Sequence, residues 1–135
     1  MPESVDKISF ADLLKSTPHE GYRCLICNSS ATQRKTVHIV NPKKYLLLEI
    51  RRFRLNTKLH TQITNFNHKN ITLDNTNYKV VSAIAHEGPD LTSGHYGNYI
   101  RQENGWLKIS DANAIPQKRF IKNMKNLYVL LLEKV

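Results

Sequence analysis

The stretch from residue 78 to residue 86, Tyr-Lys-Val-Val-Ser-Ala-Ile-Ala-His, limits the architecture more than any other part of the chain. On an extended backbone Tyr78, Val80 and Ile84 fall on one side and Val81, Ala83 and Ala85 on the other. That period of two suits a strand and does not form one face of a helix. Gly88-Pro89-Asp90 breaks the run, and two more strand-like segments follow, 95–101 and 106–110, joined by a short polar loop. Upstream, residues 35–40 alternate, with Val37 and Ile39 on one side. Residues 45–53 carry Leu46, Leu47, Leu48 and Ile50, which predicts a strand covered on both faces. Residues 54–77 are rich in Asn and Thr and read as loop with short strand pieces, and 127–133 reads as a buried closing strand. The one helical segment is 8–16, with Ser9 as N-cap and Phe10, Leu13 and Leu14 on one face; Pro18 and Gly21 end it. Short strands in succession predict an α+β fold, mainly antiparallel sheet with a short N-terminal helix.

A chain of 135 residues suits one compact domain or a large piece of one. The longest strongly apolar runs, 45–48 and 127–132, are too short to span a bilayer as a helix, and residues 1–7 lack the apolar stretch of a signal peptide. The expectation is an intracellular, cytoplasmic or nuclear protein with no membrane partner. The formal net charge of +9 is spread along the chain, with a modest cluster at Arg51, Arg52, Arg54 and Lys58. Charge of that kind attracts nucleic acid nonspecifically. No recognition motif accompanies it, so nucleic acid is not an expected partner.

The two cysteines exclude a disulfide scaffold. Cys24-Leu-Ile-Cys27 has the spacing of half a tetrahedral zinc site. No second pair exists to close it, and His19, His38, His60 and His68 offer no matching spacing. A pair of free thiols in a turn fits the same residues.

Residues 84–111 hold the chemistry. A histidine that serves as base for a nucleophile needs a rigid position and a partner for its second nitrogen. Gly94 gives backbone freedom just before His95, and the returning segment ends in Ser110-Asp111, either of which could accept a hydrogen bond from the imidazole. On these residues alone a structural and a catalytic histidine fit equally well.

Over residues 8–134 the chain resembles the ubiquitin-specific proteases, a family of papain-like cysteine deubiquitinases. Tyr22-Arg-Cys24-Leu-Ile-Cys27 is similar to the second cysteine pair of the family's fingers region, and Pro42 through Leu46–Leu48 to Arg52-Phe53 is similar to its Pro–Leu–(Lys/Arg)-Arg-Phe strand. Tyr78 through His86-Glu-Gly88 resembles the strand leading into the histidine box. Gly94-His95-Tyr96, Tyr99, Trp106 and Ser110-Asp111 resemble the box itself, and Tyr128-Val-Leu-Leu the closing strand. Any one of these is weak; in this order and spacing they are specific together.

The resemblance implies that residues 1–135 are the C-terminal, palm-and-fingers part of such a domain. It implies a thiol-dependent ubiquitin hydrolase with ubiquitin and ubiquitinated proteins as partners. His95 becomes the general base, with Ser110 and Asp111 as catalytic partners. Gly94, Tyr96, His86 and the 87–94 loop are placed near the ubiquitin tail. No cofactor is needed for catalysis. Cys24 and Cys27 become half of a structural zinc site, complete only if the missing pair is supplied. Most members carry Asp or Asn where Ser110 stands, and a hydroxyl orients an imidazole without stabilising imidazolium as a carboxylate does. The cysteine box, the first zinc pair and the oxyanion donors are absent, so the chain alone is expected to be inactive. The alternatives are a non-catalytic ubiquitin-binding fragment or pseudoenzyme and, from a different class, a small basic nucleic-acid-binding protein.

Hairpin register bears on the catalytic reading. A two-residue turn at Asn104-Gly105 would set Asp111 opposite Asn98 and leave His95 roughly 10 Å away along the strand. A four-residue loop at 101–104 sets His95 opposite Ser110, and a five-residue loop at 101–105 sets it opposite Asp111. One of the longer loops is expected, against the local Asn-Gly signal.

Overall fold

The computed structural model describes residues 6–15, 17–19, 23–28, 33–55 and 57–135, with the backbone alone at 17–19 and 33–35. It opens with β1 (Lys7–Ser9) and α1 (Phe10–Leu13), followed by β2 (Thr17–His19), β3 (Gln33–Lys35), β4 (Tyr45–Glu49), β5 (Phe53–Arg54) and β6 (Thr57–Lys58). Then come β7 (Gln62–Thr64), β8 (Ile71–Leu73), β9 (Thr76–Glu87), β10 (His95–Gln102), β11 (Gly105–Ser110), β12 (Asn113–Gln117) and β13 (Leu127–Lys134). The main sheet runs β12-β11-β10-β9-β13-β4, with β8 against the start of β9, and all its pairings are antiparallel. No helix among the described residues is long and apolar enough to cross a membrane.

One face of this sheet carries the core. Leu130 and Leu132 on β13 stand beside Leu48 and Leu46 on β4 and beside Ala83 and Val80 on β9; Tyr99 and Trp106 continue the row. Phe10, Ile63, Ile71, Phe120 and Ile121 belong to the same buried cluster. Burying these side chains is the main favourable term available to a chain of this size. Leu47 and Leu131, on the opposite face, pair across β4 and β13. There Leu47 is 68% exposed, so β4 is covered on one face rather than on both as expected.

The strands at 78–86, 95–101, 106–110 and 127–133 form close to where the alternation placed them, but the 78–86 faces differ. Leu131 pairs with Ser82 while Leu132 pairs with Val80, leaving Val81 as an extra residue in β9. This bulge shifts the parity, so Tyr78 and Val80 share the buried set with Ala83 and Ala85. The expected 35–40 strand is confined to β3; Val37 is 76% exposed with no core to pack on. Residues 54–77 contain short strands, as read. The expected helix is a single turn. Ser9 does cap it, accepting the Asp12 N–H at 3.2 Å, but Ile8 belongs to β1, which pairs in parallel with β7 and so departs from the antiparallel rule.

Two cations are buried where the ends of β9 and β13 meet. Arg52 is fully buried and donates to the carbonyl oxygens of Leu127 (2.5 Å), Leu59 (3.0 Å), Thr61 (2.9 Å) and Met124 (2.6 Å). Loss of solvation draws its pKa down to about 10. Lys58, 3% exposed, donates to the His86 carbonyl oxygen at 2.5 Å and to Asn126 Oδ1 at 3.0 Å. The His86 N–H donates to the Asn126 carbonyl at 2.8 Å, so both backbone groups of His86 are clamped.

Candidate active site

The hairpin β9–β10 ends with His95 opposite Glu87, and residues 88–94 close it. The closure depends on two glycines. Gly94 has φ +135°, and a Cβ there would lie 2.6 Å from the Glu87 carbonyl oxygen and 2.9 Å from His86 Nε2. Gly88 has φ +153°, and a Cβ there would lie 2.5 Å from the Cα of Gly94. Asp90 organises the span between them: its Oδ1 accepts from the N–H and hydroxyl of both Thr92 and Ser93, at 2.8 to 3.0 Å. The Thr92 hydroxyl and the Ser93 N–H and hydroxyl hold the Asp90 carboxyl below the usual carboxylate range.

The second hairpin has neither of the longer loops expected. Gln102 pairs with Gly105, leaving a two-residue turn at Glu103-Asn104, one position earlier than the Asn-Gly dipeptide suggested. The pairing runs to Asn98 opposite Ile109, and one further step sets Ser110 beside Gly97. The His95 ring therefore reaches Ser110 diagonally rather than directly across the pair. His95 Nε2 and Ser110 Oγ are in hydrogen-bond contact. Register therefore brings the pair together without placing the two residues face to face.

Asp111 begins the turn into β12 with φ +53°, a conformation Asp tolerates. Its Oδ1 lies 3.9 Å from His95 Nδ1, and its side chain is 82% exposed. Ser110 and Asp111 thus address different nitrogens of one ring, and Asp111 does not extend the Nε2 side into a third relay member. At that exposure its attraction for imidazolium is screened by water. The His95 side chain is 38% exposed, which leaves Nδ1 reachable from outside. A groove of about 790 Å³ is lined by Ile63, Phe66, His68, Phe120, Ile121 and Met124 among others, away from the histidine hairpin. The open flank of His95, not that groove, is where the ionisable and nucleophile-activating groups converge.

Tyr96 is 48% exposed beside the loop, but His86 is 1% exposed and lies beneath that surface. Its ring packs edge-on against Tyr96 at 4.9 Å and Phe53 at 5.1 Å and backs onto Gly94. Desolvation, and then the nearby Lys58 charge, hold its pKa below the usual histidine value. Its Nδ1 is buried without a hydrogen-bond partner. His86 supports the proposed substrate-facing residues from below and cannot itself touch a substrate here.

Cys24 and Cys27 are free thiols; the Cys27 N–H donates to Cys24 Sγ at 3.5 Å. The N–H groups of Cys27 and Ile26, and the Cys27 side chain, lower the Cys24 pKa, which favours the thiolate a metal needs. Two such thiols fit one half of a zinc site. Among the described residues no cluster of three or more Cys, His, Asp or Glu could hold a metal. His38 bonds Asp74 at 3.1 Å, His60 faces the Pro89 carbonyl at 3.4 Å and His68 accepts from Arg101 at 2.9 Å, while the His19 side chain lies outside the described residues.

Alternation alone did not single out Glu87, Gly97 or Lys108. All three share the face of His95, and only the register reveals it. Arg52 and Lys58 were counted in a modest basic cluster, and their burial was not foreseen.

Comparison with known proteins adds an independent line. A family model described as ubiquitin carboxyl-terminal hydrolase matches residues 3–131. Ubiquitin carboxyl-terminal hydrolase 24 of Arabidopsis thaliana is 28% identical over 131 residues, covering 86% of this chain and 24% of that protein. Ubiquitin carboxyl-terminal hydrolase 10 of Saccharomyces cerevisiae is 27% identical over 124 residues, covering 82% of this chain and 16% of that protein. The chain therefore spans about a quarter or less of these relatives. Among solved structures, the SAGA DUB module of Ubp8, Sgf11, Sus1 and Sgf73 bound to monoubiquitin aligns with a TM-score of 0.65 at 22% identity, over 93% of this chain and 31% of that one. An essential yeast splicing factor aligns with a TM-score of 0.64 at 13% identity, over 97% and 31%. Likeness at such identities shows the fold alone.

Proposed function

The chain belongs to the ubiquitin carboxyl-terminal hydrolase family, and from that premise we propose that it is the base-bearing part of a thiol-dependent deubiquitinase. The supporting observation is the contact of His95 Nε2 with Ser110 Oγ in a side chain that stays 38% exposed. With Nε2 engaged, Nδ1 is the nitrogen that takes the proton from a cysteine thiol carried by another segment. The thiolate attacks the carbonyl carbon of ubiquitin's terminal glycine; as the bond from that carbon to the lysine nitrogen breaks, His95 returns the proton to the departing amine. A water molecule, deprotonated by the same imidazole, then releases ubiquitin and restores the thiol. Ubiquitin-linked proteins are the proposed substrates, and Tyr96 with the 88–94 loop is the proposed seat of the ubiquitin tail. The proposed structural zinc would take Cys24 and Cys27 as two ligands and needs two more from outside the described residues.

Ser110 makes the base differ from a carboxylate-supported one. An Asp could only accept and would fix the proton on Nε2. A hydroxyl both donates and accepts, so it orients the ring without choosing its tautomer.

The test is a transplant: residues 3–131 replace the matching segment of the yeast hydrolase 10, and hydrolysis of a fluorogenic ubiquitin amide is followed. His95→Ala is expected to reduce the rate at least a thousandfold; an unchanged rate ends the catalytic reading. A second reading, ubiquitin binding without catalysis, is favoured by the absence of a usable cysteine in this chain. The fold is shared with a yeast splicing factor, and a fold does not by itself specify chemistry. Labelled ubiquitin whose tail resonances shift on adding the chain, together with a silent transplant, would favour that second reading.

A further inference from the structure

We propose that the groove floored by Phe66, Phe120 and Met124 is a docking site for an acidic linear peptide that carries apolar side chains. The proposal is independent of the catalytic reading of His95.

The groove lies between two segments. Ile63, Phe66 and His68 come from β7 and the residues after it; Phe120, Ile121 and Met124 come from the connection between β12 and β13. A second recess, of about 350 Å³, adjoins it against the turn from β10 to β11, and the two share His68, Lys118, Arg119 and Phe120. That turn and His95 stand at opposite ends of β10, which is eight residues long. At the rise of a strand this separates the recess from the histidine by roughly 20 Å.

The floor is apolar and already built. Phe120, 8% exposed, is its hub, with ring centres 5.7 Å from Phe66, 5.4 Å from His68 and 4.6 Å from Trp106. Ile63 and Ile121 are buried beside it, whereas Phe66 and Met124 are half-buried and offer apolar surface to an incoming side chain. Backbone bonds hold the connection in place: Arg52 donates to the Met124 carbonyl oxygen at 2.6 Å, and the Asn126 N–H to that of Asn123 at 3.1 Å. A concave floor that is fixed before anything binds loses little freedom on association.

The rim is positive. Lys69, Lys118, Arg119 and Lys122 are exposed around it, and none has a carboxylate partner among the described residues. Arg101 adds a fifth cation, held over the Trp106 ring at 4.7 Å and bonded to the carbonyl oxygens of Val80 and His68. Glu103 is the one carboxylate lining either recess. Burial, and then the Arg101 and Lys69 charges, hold the His68 pKa below the usual histidine value.

Five cations against one carboxylate favour an anionic partner. The floor decides its kind. Nucleic acid bound through its bases needs open ring faces for stacking. Here Trp106 and Phe120 are 3% and 8% exposed, with their faces taken up by each other, by Phe66 and by Arg101. An acidic peptide suits both features, its carboxylates on the rim and a Leu or Phe side chain against Phe66 and Met124.

The probe is a fluorescein-labelled peptide in which Glu-Asp pairs alternate with single Leu or Phe residues, titrated with the 135-residue chain and read by anisotropy. Saturable binding is expected. Replacing the Leu and Phe by Ser should weaken it about tenfold, the effect of roughly one apolar side chain taken from water. Lys118→Glu with Arg119→Glu should weaken it about tenfold or more. Lys43→Glu with Lys44→Glu makes the same change in net charge beside β4, at the opposite edge of the sheet from β12, and should alter binding less than about twofold. Met124→Ala, which leaves charge alone, should weaken it about fivefold; should that variant fail to fold, the two charge-reversal pairs decide, because all four of their side chains are exposed. Amide signals of residues 65–69 and 117–124 should shift with the peptide, and those of 88–95 should stay in place. Equal losses from the two charge-reversal pairs, equal binding of the Ser peptide, shifts centred on 88–95, tighter binding of an oligothymidylate of the same charge, or no saturable binding up to about 1 mM chain would each overturn the proposal.

Discussion

The junction at Arg52 and Lys58 and the flank of His95 lie at the same end of the β9–β10 hairpin and are built on opposite terms. At the junction, charge is buried and multiply bonded: one guanidinium meets four carbonyl oxygens, and one ammonium clamps the backbone of His86. At the flank, the imidazole is half-open and has one close partner and one distant one. The inner region holds backbone where strands and loops must meet. The outer region leaves an atom unsatisfied for something else to use. Stability and reactivity are therefore separable here by substitution.

The sharpest way to break that separation is Arg52→Met. It strips four carbonyl oxygens of their donor in a place water does not reach, and each unsatisfied group costs roughly 1–3 kcal/mol. A loss on the order of 4 kcal/mol in urea unfolding is expected, a large part of a domain's total stability. A loss under about 1 kcal/mol would show that the junction is hydrated and that the contrast is false. Gly94→Ala comes next, at about 2–3 kcal/mol, because φ +135° and contacts of 2.6 and 2.9 Å both oppose a Cβ. Thermal melting checks it, and His86 should be disturbed with the loop.

Ser110→Ala and Ser110→Asp sharpen the other side. Neither is expected to change stability by more than about 1 kcal/mol, since Ser110 is half-buried and makes a single contact. In the transplant, Ser110→Ala should lower hydrolysis about tenfold and Ser110→Asp should raise it, because a carboxylate holds the tautomer and supports imidazolium. Equal rates for all three would mean that residue 110 does not address the reacting ring. The smallest effect concerns pH. The Asp90 carboxyl is held below its unfolded value by the Thr92 and Ser93 groups. Its contribution is thus complete above that unfolded value and is lost as pH falls through the folded one. Amide exchange at Thr92 and Ser93 should quicken below about pH 4, while the His86 N–H, held by the Asn126 carbonyl, should not follow.

Much of the sheet was legible because its long strands obey one rule. The runs that became β9, β10, β11 and β13 are rich in apolar and aromatic residues, and the first two stop within three residues of a Gly. What the sequence hid depends on partners distant along the chain. The Val81 bulge exists because β13 slips against β9. β12 was not foreseen, because Pro116 breaks up its short run; as an edge strand it tolerates a residue with no N–H. The parallel β1–β7 pair joins residues more than fifty positions apart, with no local signature. At the site, His95, Ser110 and Asp111 could be named, but the way they meet could not. Face-to-face pairing was expected, whereas the two-residue turn sets Ser110 beside Gly97 and the His95 ring meets it on the diagonal.

The last strand has a consequence for biosynthesis. β13 is inserted between β9 and β4, so the sheet is joined by a strand that is synthesised after both of its neighbours. Until it emerges, the Leu46–Leu48 edge and the long β9 have a gap of one strand between them, with the apolar side chains of both exposed to whatever chaperone is nearby. A stop codon a few residues before Leu127 would therefore remove not a dispensable tail but the plank that joins the two halves, and such a nascent chain should be retained by chaperones or degraded.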